Sequence, residues 1–110
     1  MKLEIETADR HDAFALLGTG DVQLHQRIDL GDGVAAVYEG SRVQKSPGYP
    51  TLSTFEIALA TGIAAETAAE KIFGWLSKGL PSKPATVVVD KTEIAFDKGR
   101  LAKILGEKLF

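Results

Sequence analysis

The stretch PTLSTFEIALATGIAAETAAEKIFGWLSKGL, residues 50–80, decides how this chain reads. It is rich in alanine, carries bulky residues at both ends, and reads as one long helix or two stacked shorter ones. Ser53 and Glu56 fit a capping box, S-x-x-E, and Pro50 stops a helix from extending upstream. Gly79 suits the position just past a helix end, with Lys78 in the last turn and Pro81 beyond. At about 100° per residue, Ile57, Ala58, Thr61, Ala65, Ala68, Ala69, Ile72 and Leu76 share one face. Phe55, Phe73 and Trp75 border it, and Glu56, Glu66, Thr67, Glu70, Lys71 and Lys78 lie opposite.

The middle of that face is small, so the helix can approach another backbone closely. The expected neighbour is the protein's own sheet or second helix; a helix–helix dimer through the small residues is the sharper alternative. Leu59 and Ile63 are misfits that fall among the glutamates. Either Gly62 bends the helix and turns Leu59 inward, or the two residues form an exposed apolar patch that meets a partner. A membrane span is not expected, because Glu66, Glu70 and Lys71 interrupt the run.

The flanks supply strands. Residues 2–7 alternate, with Leu3 and Ile5 on one side and Lys2, Glu4 and Glu6 on the other. Residues 8–17 are ambiguous: Asp9 or Asp12 could cap a helical turn carrying Phe14 and Leu17, or the segment is a loop. Residues 18–21 read as a turn. Residues 22–30 alternate again, Gly31-Asp32-Gly33 marks a hairpin, and residues 34–43 return with Val34, Ala36 and Tyr38 on one face. Residues 44–51 are irregular. After the helix, 81–84 form a rigid connection. Residues 86–89 and 93–96 then make a second hairpin around Asp90-Lys91-Thr92, which could instead pair with a neighbouring chain. Asp97 caps a short final helix with Leu101, Ile104, Leu105 and Leu109 as its stripe. The order implies an α+β fold: an antiparallel or mixed sheet of hairpins packed against one long central helix and a short C-terminal helix. Residues 1–110 are expected to form a single domain.

Composition supports a folded chain, with 45% hydrophobic and 25% charged residues. The net charge of −2 leaves no electrostatic footprint for nucleic acid. Cysteine is absent, which removes disulfides, thiolate metal sites and thiol nucleophiles. Residues 1–7 lack the apolar run of a signal peptide. A cytoplasmic protein is expected, or cargo exported without an N-terminal signal.

No catalytic constellation stands out. His11 and His25 do not make a ligand set by themselves. No serine lies in G-x-S-x-G, and Ser53 is assigned to the cap. Glu66 and Glu70 share a helix face but lack the Glu-x-x-His partner of a carboxylate metal site. Gly18-x-Gly20 lacks the third glycine and the Lys-Ser/Thr of a phosphate loop. The best surface candidate is the loop Lys45–Tyr49, where Pro47 and Pro50 restrict the backbone and Tyr49 is a good interface residue; the plain alternative is a crossover loop.

The expected function is a small non-enzymatic protein-interaction domain, inhibitor- or immunity-like, or a homodimeric accessory protein. Tyr49, Leu59 and Ile63 would be its contacts, and another protein or a second copy its partner. No cofactor, metal, nucleic acid or membrane is expected. The alternative is an enzyme or small-molecule-binding subunit with a cleft between sheet and helix, lined by His25, Tyr38 and Glu39.

Overall fold

The computed structural model describes residues 1–7, 16, 23–43, 51–80 and 86–109. Among them, six strands form one sheet: β1 (Lys2–Thr7), β2 (Arg27–Gly31), β3 (Val34–Val43), β4 (Thr51–Leu59), β5 (Thr86–Val89) and β6 (Thr92–Ile94). Two helices follow from the same chain, α1 (Ala65–Gly79) and α2 (Lys98–Leu109). The strands lie in the order β2-β3-β4-β1-β5-β6, and every neighbouring pair is antiparallel. The fold is α+β, as the order of elements implies. The second hairpin joins the same sheet, because β5 pairs with β1.

The main correction concerns residues 51–59, which are a strand and not the first turns of a helix. β4 is hydrogen-bonded along its length to β1 on one side and β3 on the other. Its side chains alternate: Thr51, Ser53, Phe55 and Ile57 face the helices and are buried, while Glu56 faces away and is exposed. Thr51, Thr54, Phe55 and Ile57 are residue types that fit a pleated surface. Ser53 therefore caps nothing. It is fully buried, and its Oγ lies 2.7 Å from Ser41 Oγ, which lies 2.7 Å from Tyr38 Oη. The hydroxyls satisfy one another inside the core, where an unpaired one would cost about 1–3 kcal/mol.

The helix proper begins after a turn at Gly62, which has φ +87°. Its N-cap is Ala64, without a side-chain cap. From there the expected facing holds: Ala68, Ala69, Ile72 and Leu76 are buried, while Glu66 and Glu70 are exposed. Gly79 is not a left-handed C′ residue, since α1 runs through it and the cap is Leu80 in extended backbone. Its reason is contact: a Cβ there would meet Leu16 Cδ2 at 2.6 Å.

α2 forms as expected. Asp97 Oδ1 accepts from the Arg100 N–H at 3.0 Å, and Leu101, Ile104 and Leu105 are buried. Gly106 lies against α1, its would-be Cβ 4.0 Å from Ala65 Cβ. Phe73 of α1 stacks on Phe96 at 4.8 Å between centroids.

The bounds of β2 and β6 move. β2 starts at Arg27 and not at residue 22, because Gln23–Gln26 form a turn closed by the Gln26 N–H to Gln23 O bond. In the second hairpin the turn is Asp90-Lys91, with φ 45° and 71°, so Thr92 enters β6, and the strand ends at Ile94 and not at residue 96. Positive φ at both central residues is the two-residue turn whose twist matches the strands. The expectations for residues 8–15, 17–21, 44–50 and 81–84, and for the side chain of Leu109, lie outside the described residues.

Gly62 and Gly74 should respond oppositely to alanine. Neither Cβ would meet anything within 4 Å, but Gly62 has φ +87° and Gly74 is helical. Gly62→Ala is expected to lose about 1 kcal/mol through backbone strain, and Gly74→Ala to gain about 0.5–1 kcal/mol. Urea denaturation of the two variants checks this.

Candidate functional site

A groove of about 520 Å³ lies between β2 and α1. β2 is the end strand of the described sheet, and α1 packs against β2 and β3, so the groove follows the seam between the end strand and the helix. Ile28 and Leu30 point to the helix side of β2, since Ile28 sits opposite the buried Ala36. Both are only half-buried. Trp75 forms the opposing wall and Gly74 leaves it open, with nothing within 4 Å of where a Cβ would stand.

Trp75 is held from two directions. Its ring meets Phe55 edge-on at 5.1 Å and 89°, and its Nε1–H donates to Leu16 O at 2.9 Å. The indole's polar edge is thus satisfied, and its remaining apolar surface is presented in a fixed orientation. The rim carries both signs of charge on α1, Glu70 with Lys71 and Lys78; Asp29 also borders the groove, but it stands opposite Ala35, on the alternate side of β2 from Ile28. Lys71 Nζ lies 3.2 Å from Asp32 Oδ2 at the β2–β3 turn, and the end of its side chain would lie 3.7 Å from a Cβ placed on Gly31. Both partners of that pair are substantially exposed, so it closes one end of the groove without adding much stability.

The edge beside the groove is exposed backbone. The Tyr38 N–H donates to Gln26 O, and the His25 N–H donates to Tyr38 O, so Tyr38 faces β2. By the antiparallel alternation, Ala36 and Ile28 also face each other. Arg27 and Asp29 therefore turn their N–H and C=O groups outward, and among the described residues no strand lies beyond them. Among the described residues, Leu24, beside the start of the same strand, is the large hydrophobic residue left most exposed, at 62%.

The residues singled out from the sequence fall elsewhere. Tyr49 lies outside the described residues. Leu59 is at the end of β4 opposite Val34, half-buried and packed against the core. Ile63 follows the Gly62 turn and packs against the core, its Cδ1 3.2 Å from a Cβ placed on Gly33. Both thus support the β2–β3 turn from beneath, next to the Lys71 end of the groove. His25, Tyr38 and Glu39 do come together, but not as a cleft. His25 has φ 67° in the turn before β2, and its exposed Nδ1 lies 3.2 Å from Glu39 Oε2. Tyr38 points the other way, buried 5.6 Å from Phe55. A register shift between Tyr38 and Gly40 separates the two sides. His11 is not among the described residues, and within those residues no three histidine or acidic side chains converge on a metal position. No described helix is long and apolar enough to cross a membrane.

Ile28, Leu30 and Trp75 were visible in the sequence only as core-type residues. Their periodicity gave the face but not the position at the sheet's end. A second depression, about 440 Å³ on the open face, interleaves Lys2, Glu4, Glu39, Arg42 and Lys91. Its mixed charges and lack of an aromatic wall make it a weaker candidate.

Comparison with known proteins adds no relative: no family model matches the chain, and no curated protein or solved structure is significantly similar to it.

Because Leu59 and Ile63 are half-buried, replacing both with lysine is expected to lower stability by roughly 1–3 kcal/mol per site. A denaturation midpoint unchanged from the parent would show that both side chains are solvent-facing.

Proposed function

We propose that this chain is a protein-interaction domain that receives an extended strand of its partner along β2. The observation that supports it is the pairing of an open strand edge with an apolar groove beside it. Main-chain bonds to Arg27 and Asp29 would hold the incoming strand, and its alternate side chains would contact Ile28, Leu30 and Trp75. This is strand addition, in which backbone bonds give affinity and neighbouring pockets give specificity. The rigid Trp75 is the natural anchor, since aromatic residues in fixed positions carry much of the energy of such contacts.

A second reading uses the same groove for a small apolar ligand. Its volume falls within the range of ligand pockets, roughly 300–1,000 Å³, and it lies between sheet and helix as an enzyme or ligand-binding subunit would require. The mixed charges on its rim would orient a polar end of such a ligand.

Peptides selected from a displayed library against the folded chain provide the test. Trp75 is the chain's single tryptophan, so its emission reports occupancy of the groove. The expected result is a saturable emission change that Ile28→Lys weakens at least tenfold, on the order of a hot-spot loss, with an unchanged circular dichroism spectrum. Selected peptides that bind Ile28→Lys as tightly as the parent would overturn the assignment. Small apolar compounds that shift Trp75 while no peptide does would favour the second reading.

A further inference from the structure

The exposed edge of β2 is self-complementary, and we propose that the strand it receives is β2 of a second copy of this chain. This deepens the strand-addition reading and rests on it. The sequence of the strand is Arg27-Ile28-Asp29-Leu30-Gly31. Arg27 and Asp29 are opposite Val37 and Ala35 on the face away from the helices, and both are exposed. Ile28 lies between them on the helix face.

Two such strands running antiparallel can be related by a two-fold axis at Ile28. Arg27 of each copy then stands opposite Asp29 of the other. These are the two residues whose N–H and C=O groups turn outward, so each opposed pair exchanges two main-chain bonds, about four in all. The same pairs place a guanidinium directly across from a carboxylate on the open face, twice. Asp29 Oδ1 accepts from the Gly31 N–H at 3.0 Å, which holds the carboxylate at the edge. Moving the axis by one residue places Arg27 against Arg27 or Asp29 against Asp29. Like charges directly opposite are destabilising, so charge selects the Ile28-centred register from its neighbours.

The helix side matches. An edge-to-edge pair keeps the faces of the sheet continuous, so both α1 helices stand on the same side. Ile28 meets Ile28 at the axis, and the two grooves beside Trp75 open toward each other across the seam. The half-buried Ile28 and Leu30 of each copy are covered by the apolar face of the other. The contact is isologous and closes on itself, as two-fold interfaces do.

Sedimentation equilibrium over a wide concentration range tests this with charge reversals. The parent chain is expected to reach twice its 11.8 kDa mass. Arg27→Asp and Asp29→Arg should each weaken the dimer by more than roughly tenfold, because each creates two like-charge pairs. The double variant Arg27→Asp/Asp29→Arg should regain it, and an equimolar mixture of the two single variants should form a heterodimer. Restoration by double reversal and by mixing also shows that the single variants fold. A parent that stays monomeric, single reversals that leave the dimer unchanged, or a mixture that fails to associate would each overturn the proposal. A monomer whose Trp75 still responds to selected peptides would reject the second copy as occupant while leaving the strand-docking groove in place.

Discussion

The structure depends on β4 sitting inside the sheet with Phe55 beneath α1. β4 is hydrogen-bonded on both sides, to β1 from the start of the chain and to β3 before it. Phe55 is fully buried and touches the rings of Tyr38 in the sheet and Trp75 in the helix. That one side chain, worth about 2–3 kcal/mol in burial, couples strand pairing to helix docking. It also explains why Ser53 is buried with a partner for its hydroxyl: the centre of the sheet offers no water, so polar groups there must find one another.

The groove is a consequence of the same arrangement. α1 lies against β2 and β3 and close to α2, with Ala65 beside Gly106. β2 is left at the margin with its apolar side chains half-covered. Exposed strand edges invite pairing, and this one is short, ends in a glycine-rich turn and carries one charge of each sign. The charges discourage indiscriminate pairing while permitting one register.

Much of the fold was legible locally. The alternation at residues 2–7, the Gly31–Gly33 turn, the Asp97 cap and the buried stripe of α2 all rest on contacts within a few residues. So does the facing of α1 after Ala64, where Ala68, Ala69, Ile72 and Leu76 are inward and Glu66 and Glu70 outward. Residues 51–59 were not legible, because Phe55, Ile57 and Leu59 keep a two-residue period while Ile57 and Ala58 also continue the helical stripe of Thr61, Ala65 and Ala68. The S-x-x-E pattern at Ser53 then matched a cap by coincidence. The groove was not legible either: Ile28, Leu30 and Trp75 have the residue types and spacing of ordinary core positions.

The sequence by itself determined which side of β1, α1 and α2 is apolar, where the first hairpin turns and where the last helix begins, since these follow from side-chain period and backbone freedom over short distances. The tertiary structure alone decided that Thr51–Leu59 is a strand, that β1 lies between β4 and β5, and that β2 is at the edge. Those outcomes come from pairing residues some fifty positions apart, as with Lys2 and Glu56, and such partners leave no mark on the local pattern of either segment.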